Sequence, residues 1–296
     1  MAVALKKWRG KSAGLAFVLL AGWSPAALAQ ATWLLGNRPL LAAAGDTEPN
    51  PTTPPLDEER IAEIDKAAAG FKPVAMTDVA STVAGVERLV QAVEADDRAA
   101  AQRAWIEARV GWERSEIFSA TMVPDLDKAI DTWPDAHSGF HAVEFLLFAT
   151  GRLPVAESRE LLDNIKIFQH VIQQQAFSGR ILMVGVASLA YEVGESKSKG
   201  GESEVSGTSL ADIQHNVEAI DRAWHAIFAP SIATKDPKLA KRIEGEITDL
   251  KKLVFVPSLL NIDPPTLEQK AESLAGSIAD ANFKLGWYPI DFTGGD

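Results

Sequence analysis

The run SGFHAVEFLL, residues 138–147, places His141 and Glu144 three positions apart inside an apolar stretch. In a helix, residues at i and i+3 lie on one face, so the imidazole and the carboxylate can point at the same ion. Burying such a pair among leucine and phenylalanine side chains is costly unless a partner satisfies it. A bound metal is one candidate partner, and the alternative is a histidine that is hydrogen-bonded within an ordinary core.

A second pair with the same spacing, Glu113 and Glu116, stands upstream in the run WERSE, residues 112–116. It would add two carboxylates to the downstream pair, and helix bundles build metal sites from inward-facing pairs of this kind. Oxygen ligands with one imidazole suit iron, manganese or zinc, and calcium less well. The alternative is a solvated charged face, because Arg114 stands between the two glutamates.

Signatures of common enzymes are missing from the sequence. It contains no HExxH zinc-protease motif, no GxSxG nucleophile motif and no phosphate-binding glycine loop. It also contains no cysteine, which excludes disulfides, thiolate metal ligands and cysteine nucleophiles. Three further histidines, His170, His215 and His225, are scattered on predicted helices and are interpreted as structural. We therefore expect a binding protein and rank a metallopeptidase lowest among the alternatives.

Hydrophobic periodicity predicts helices along most of the chain. Five valines between residues 79 and 93 recur at intervals of three and four, with Thr77 as the predicted N-cap. The polar, glycine-rich segment 195–209 is predicted to be a solvated connection. We expect an all-α fold of two packed antiparallel four-helix bundles, divided near residues 150–180, with a cleft between them. Further helices are predicted at 97–118, around His141, and at 156–176, 179–195, 208–229, 235–253 and 266–285.

The first 29 residues have the pattern of a cleavable signal peptide. Four basic residues precede a short apolar core, and Ala27 and Ala29 provide the small residues of a cleavage site before Gln30. A proline-rich linker is predicted over residues 30–55, a helical domain over 56–285 and a C-terminal tail over 286–296. We therefore expect the protein in the periplasm or at the cell surface, with a retained membrane anchor as the weaker alternative.

The charge of the chain restricts its partners. The full sequence has 29 basic and 40 acidic residues, and removal of the signal would leave 25 basic residues and a net charge of −15. Such a surface repels nucleic acid and anionic membranes but is compatible with cation binding. An anionic polysaccharide would need a local basic cleft or bridging cations.

Several separated blocks of the sequence resemble the imelysin-like proteins, and in particular the EfeO type, the periplasmic component of a bacterial iron-uptake system. The run GFHAVE, residues 139–144, is similar to the family's Gly-x-His-x-x-Glu signature, and WERSE, residues 112–116, is similar to its Trp-Glu-Arg-Ile-Glu. The run DLDKAID, residues 125–131, and the later run from Leu210 to Glu218 follow the family in the same order. The resemblance covers about residues 56–285.

The resemblance implies a two-bundle helical fold and a site for a divalent or trivalent metal, with iron or zinc favoured. It also implies an inner-membrane iron permease as a partner. The metal ligands that it implies are His141, Glu144, Glu113, Glu116 and, as a weaker addition, Asp212. The sequence departs from the family at 207–209, where Gly-Thr-Ser replaces the frequent His-Thr-Asp. The cupredoxin-like domain that precedes some members is also missing.

The family also includes an alginate-binding cell-surface protein of the same short form. The resemblance therefore leaves an alternative function open, in which the protein binds an acidic polysaccharide and the metal site is auxiliary. Basic residues that could line a cleft for uronic-acid carboxylates are Lys66, Lys72, Arg180, Lys197 and Lys199. The competing interpretation is that these five residues are dispersed surface charges.

Overall fold

The computed structural model describes residues 53–133, 137–195, 197 and 200–292. The predicted signal peptide, residues 30–52 of the predicted linker and Lys199 lie outside the described residues. Within the described ranges the chain forms ten α-helices, two π-helical turns and one 3-10 turn, with no strand. The expected all-α fold is therefore confirmed.

The ten helices vary in length from six to 37 residues. In chain order they are α1 (Glu58–Glu94), α2 (Arg98–Met122), α3 (Pro124–Asp131), α4 (Gly139–Glu144), α5 (Val155–Gln174), α6 (Gly179–Glu195), α7 (Ser209–Ala223), α8 (Ala229–Lys235), α9 (Pro237–Val254) and α10 (Pro264–Lys284). The π-helical turns are Phe145–Thr150 and Trp224–Phe228, and the 3-10 turn is Leu259–Asn261. No helix among the described residues combines the length and the apolar character needed to cross a bilayer.

Helix α1 begins about 20 residues earlier than its valine stripe predicts. Asp57 is its N-cap and accepts a hydrogen bond from the Arg60 backbone amide at 3.3 Å. The predicted cap, Thr77, is wrong: it lies inside the helix and its hydroxyl donates to the Pro73 carbonyl at 3.0 Å. Pro73 removes one amide donor without ending the helix, since buried side chains on both sides of it keep the helix packed.

Helix α2 occupies the centre of the helix packing. It packs along α1 and also contacts α6 and α7. Helix α6 packs on α10, α7 packs on α9, and α9 contacts α10. On its other side α1 packs on α5. The described helices all belong to one compact unit. The division into two four-helix bundles with a cleft stays a prediction.

Candidate metal centre

Three charged residues of α2 lie on the buried side of that helix. Arg109, Glu113 and Glu116 follow at intervals of four and three, which puts them on one face. Their side chains are 2%, 0% and 11% exposed. The guanidinium of Arg109 contacts the Oε1 atom of Glu113 directly. The face of α2 at this level is therefore a row of buried charges rather than the solvated face that the sequence left open.

Asp131, the last residue of α3, completes an acidic cluster with the two glutamates. One ligand oxygen from each of Glu113, Glu116 and Asp131 lies within 4.8 Å of the others. Arg109 Nη1 donates to both carboxylate oxygens of Asp131 at 2.6 Å, and the indole N–H of Trp112 also donates to Asp131. The carboxylate is thus fixed by donors from α2, and we call Glu113, Glu116 and Asp131 the acidic triad.

The short helix α4 brings His141 to the acidic triad, and Gly139 permits its close approach. Gly139 has φ +70°, and a Cβ there would lie 2.0 Å from the Ile130 carbonyl oxygen. Only glycine fits that position without moving α4 away from α3. The His141 Nε2 atom lies 3.1 Å from Asp131 Oδ1. The two groups form an ion pair when the imidazole is protonated, but this buried nitrogen makes no hydrogen bond of good geometry among the described residues.

Glu144 orients the histidine instead of pointing at the acidic triad. Its Oε2 lies 3.1 Å from His141 Nδ1, and its Oε1 accepts the Ser206 backbone amide at 2.7 Å. Both carboxylate oxygens are therefore engaged. A carboxylate on one ring nitrogen of a histidine, with the other nitrogen facing a metal, is the common outer-shell arrangement of metal sites.

Lys197 fills the space beside the two glutamates. Its ammonium donates to Glu113 Oε2 and Glu116 Oε2 at 3.1 Å each, and to Asn216 Oδ1 at 2.8 Å. The amide of Asn216, from α7, donates to Glu113 Oε2 at 2.9 Å and to Glu116 Oε2 at 2.6 Å. The segment between α6 and α7 is therefore not simply a solvated connection, since Lys197 and Ser203 are both buried.

The environment shifts the pKa values of these groups in opposite directions. Burial opposes the charged form of Asp131, but Arg109 and His141 outweigh it and hold the pKa of Asp131 well below its usual range. For His141, burial acts against the cation, but Asp131 and Glu144 raise its pKa to about 9. Burial and the neighbouring Glu113 charge raise the pKa of Glu116 well above its ordinary value. Before a metal binds, the imidazole is therefore protonated and the cluster carries its own counter-cations.

The structure brings together the five residues that the sequence analysis named as metal ligands. Asp212 joins through Arg109, whose Nη2 lies 3.1 Å from Asp212 Oδ2. Burial is the main cause that raises the pKa of Asp212 to about 7, against the attraction of Arg109. Metal ligation by these five residues stays a prediction. Glu144 already contacts His141, and Asp212 already pairs with Arg109.

Four of the five proposed polysaccharide ligands lie in the described part of the chain, and their surroundings differ. Lys66 is exposed, and Lys72 donates to the carbonyls of Gln173 and Gln175 at 2.8 and 2.6 Å. The guanidinium of Arg180 lies 5.6 Å from the ring centroid of Tyr288. Lys197 is 1% exposed and faces carboxylates, so it does not present its ammonium to a surface ligand. The alginate hypothesis stays a prediction.

Sequence reasoning missed three residues of the centre: Arg109, Asp131 and Asn216. Asp131 stands in the DLDKAID block, which carries part of the family resemblance, and only the packing of α3 on α2 shows that its carboxylate meets the two glutamates. Arg109 lies four residues before Glu113, so a helical projection of α2 would have paired them. Asn216 stands in the later block of resemblance, residues 210–218, but its contact with the glutamates depends on the fold, which brings α7 to α2.

An open cavity of about 830 Å³ lies elsewhere, lined by residues of α7, the following π turn and α9. Arg222, Lys251 and Lys252 line it, but each pairs with an aspartate, at 3.5 Å for Lys252 and Asp249 and at 2.6 Å for Lys251 and Asp221. None of its lining residues belongs to the acidic triad. The buried charges, not this cavity, therefore mark the candidate site.

The sequence model of the imelysin family, whose label also names a peptidase family, matches residues 67–138 and 135–256. A Staphylococcus haemolyticus protein described as an Efem/EfeO family lipoprotein is 26% identical over 242 residues, covering 75% of this chain and 84% of the relative. The iron uptake system component EfeM of Pseudomonas syringae pv. syringae is 26% identical over 197 residues, covering 62% of this chain and 68% of the relative.

Among solved structures, a putative iron-regulated protein A precursor from Parabacteroides distasonis has a similar fold. Its TM-score is 0.56 at 16% sequence identity, and the match covers 80% of this chain and 95% of that one. At this identity the likeness concerns the fold alone. It agrees with the all-helical architecture of the described residues.

Proposed function

This chain belongs to the imelysin family, and we propose that it is an exported, non-enzymatic protein that binds a metal cation at the acidic triad for iron uptake. The relatives named as EfeM or as Efem/EfeO lipoproteins support the uptake role. The lipoprotein names also support a location outside the cytoplasm. In this proposal an inner-membrane permease is the partner that receives the metal. The peptidase label of the family is not carried over to this chain, because the sequence has no HExxH zinc-protease motif and no GxSxG nucleophile motif.

One observation carries the proposal: His141 Nε2 is buried, lacks a hydrogen-bond partner and faces Asp131 of the acidic triad. A buried nitrogen without a partner costs free energy unless something binds it. Arg109, Lys197 and the protonated His141 balance the neighbouring carboxylates before a metal binds. A metal ion would supply the partner that His141 Nε2 lacks and would bind the nearby triad oxygens.

The donor set fits iron or zinc. Three carboxylates and one imidazole nitrogen are ligands that both metals accept, and the triad oxygens are close enough to share one ion. In this assignment Glu113, Glu116, Asp131 and His141 hold the metal. Glu144 orients the imidazole through Nδ1, which modifies the expectation that both residues of the His-x-x-Glu pair are ligands.

Arg109 and Asn216 position the ligands. Arg109 holds Asp131 and Glu113 toward one another, and the Asn216 amide fixes the two glutamates. The guanidinium of Arg109 has no lone pair for a metal, and the Asn216 carbonyl accepts a hydrogen bond from Lys197, so neither residue is assigned as a ligand. Their contribution is geometry, since metal affinity depends on ligands that are already in place.

The test is a titration of chelator-treated protein with Zn²⁺ and with iron, followed by calorimetry and by elemental analysis after gel filtration. Glu116→Gln keeps an oxygen acceptor for Asn216 and Lys197 but removes the charge. His141→Gln removes the imidazole ligand. We expect each variant to bind metal about 100-fold more weakly or worse, because even the partners of ligands are worth about 10- to 100-fold.

Glu107→Gln is the matched control for Glu116→Gln. Glu107 lies on the same helix, α2, but is 57% exposed and pairs only with Arg88 at the surface. We expect this variant to bind metal as the wild type does. The proposed site would be wrong if Glu116→Gln and His141→Gln both bound stoichiometric metal with unchanged affinity. Melting curves of each variant verify that it is folded.

A further inference from the structure

Lys197 is the only lysine that is buried among the described residues, at 1% exposure. Its ammonium contacts Oε2 of Glu113 and Oε2 of Glu116 at 3.1 Å each. Each of these glutamates belongs to the acidic triad. The ammonium therefore sits on two oxygens that the proposed metal site needs.

A metal ion and the ammonium cannot share these oxygens without strong repulsion. A metal bound to a carboxylate lies about 2.0–2.2 Å from the oxygen. An ion at that distance from both Oε2 atoms would lie within a few ångströms of Nζ, in surroundings where water screens little of the repulsion. Removing the ammonium from the two glutamates is therefore a condition of metal binding there.

The surroundings offer the ammonium a second place. Glu192 Oε1 and Glu202 Oε2 lie 3.7 and 3.6 Å from Nζ, which is farther than a hydrogen bond but within reach of a small rotation of the lysine stem. The Glu192 side chain is 41% exposed, so this direction leads toward solvent. Lys197 follows the end of α6 and is not held inside a long helix.

We propose that Lys197 is the resident counter-cation of the centre and that a metal binds by displacing its ammonium from Glu113 and Glu116. This inference rests on the proposed function and adds a basis for selectivity to it. A monovalent ion that replaced the Lys197 ammonium would gain little electrostatic free energy, because it brings the same single positive charge. A divalent or trivalent ion gains one or two further charges against the same carboxylates, so the lysine favours multivalent cations.

The first test compares Lys197→Met with Lys197→Arg in full-length, chelator-treated protein titrated with Zn²⁺ in a calorimeter. Lys197→Met keeps most of the stem length and removes the charge, so we expect Zn²⁺ to bind about tenfold or more tightly than in the wild type, because the competing cation is lost. Lys197→Arg retains the charge and is expected to bind no more tightly than the wild type. Weaker zinc binding in Lys197→Met would mean that the lysine supports the site, and the inference would be wrong.

The second test uses the wild-type protein and does not depend on any variant folding. Lysines are acetylated briefly with an amine-reactive ester, and the modified positions are quantified by mass spectrometry with and without saturating Zn²⁺. Lys197 is expected to be protected in the metal-free protein and to react several-fold faster once zinc is bound. Lys66, which is exposed, serves as the control and is expected to react equally in both states.

The outcomes separate the inference from the function on which it rests. Zinc binding to the wild type with Lys197 still protected overturns the displacement and leaves the proposed metal site standing. Zinc binding to Lys197→Met alone would show that the ammonium occupies the site but is not displaced, which overturns both the displacement and metal binding by the natural chain. Zinc binding to neither protein overturns both.

Discussion

Arg109 is the residue around which the buried acids of the centre are arranged. It contacts Glu113, Asp131 and Asp212, from α2, α3 and α7. Its guanidinium also lies 5.3 Å from the ring centroid of Phe140 and 5.7 Å from that of Trp105. Burial alone would lower the pKa of Arg109, but the three carboxylates raise it well above its ordinary value. One side chain thus joins three helices by charge and by ring contacts.

Arg109→Met is expected to destabilise the metal-free protein strongly, because it leaves buried carboxylates without a cation. Breaking a buried pair by removing one partner typically costs about 3–5 kcal/mol of unfolding free energy. Guanidinium denaturation followed by circular dichroism measures the change. The control is Arg88→Met, since Arg88 is 51% exposed and pairs with Glu107 at the surface; we expect it to change stability by no more than about 1 kcal/mol. Equal effects of the two changes would contradict the role of Arg109.

At the level of the helices, the centre depends on how closely α2 meets its neighbours. Helix α2 carries the two glutamates of the triad and Arg109, while α3, α4 and α7 contribute the other residues. Gly185 sets the approach of α6, because a Cβ there would lie 1.9 Å from the Ile117 carbonyl oxygen. The obstacle is backbone, which cannot rotate away as the end of a side chain can. A side chain at this position must therefore separate α6 from α2.

Gly185→Ala is expected to lower the unfolding free energy by about 1–3 kcal/mol, the usual cost of forcing extra atoms into a packed interior. Gly70→Ala is the matched control, because Gly70 lies in the interior of α1 with nothing within 4 Å of the added Cβ. There we expect a gain of about 0.5–1 kcal/mol from the better helix propensity of alanine. Chemical denaturation of both variants measures the difference, and a neutral Gly185→Ala would show that α6 can shift without cost.

Across the molecule as a whole, the acidic net charge favours cation binding. The N-terminal sequence separately favours a location outside the cytoplasm. The net charge of the full chain is −11. A negative surface raises the local concentration of cations and discourages anionic partners. The predicted signal peptide lies outside the described residues, so its cleavage stays a prediction of the sequence.

Export is expected to yield a mature chain that begins at Gln30. Intact-mass measurement of the protein from the extracytoplasmic fraction of an expressing cell gives the N-terminus. Replacing Ala27 and Ala29 together by phenylalanine is expected to leave residues 1–29 attached, because the cleavage site needs small residues at these positions. Leu28→Phe, between them, serves as the control and is expected to be cleaved. A mature protein that retains residues 1–29 without any substitution would contradict the signal assignment.

Local sequence patterns were sufficient to predict most helices and the residue types of the centre. Helical periodicity and capping are local, so the predicted ranges of α5, α6, α9 and α10 agree with the observed helices within about two residues. The same local patterns placed the helix start too late, at Thr77, because the valine stripe begins only at Val79, whereas tertiary packing carries α1 back through Pro73 to Glu58. The spacing within the glutamate pair and within the histidine–glutamate pair predicted a shared helix face for each pair, and metal ligation by these residues stays a prediction.

What those residues do to one another depends on the packing of the helices. Packing turned Glu144 onto the imidazole, brought Asp131 to the two glutamates and buried Lys197 among the carboxylates. The physical reason is that ligand geometry and charge balance depend on contacts between helices far apart in the chain, such as α2 with α7. A spacing of three residues fixes a shared helix face, but the groups opposite that face are set by the tertiary structure.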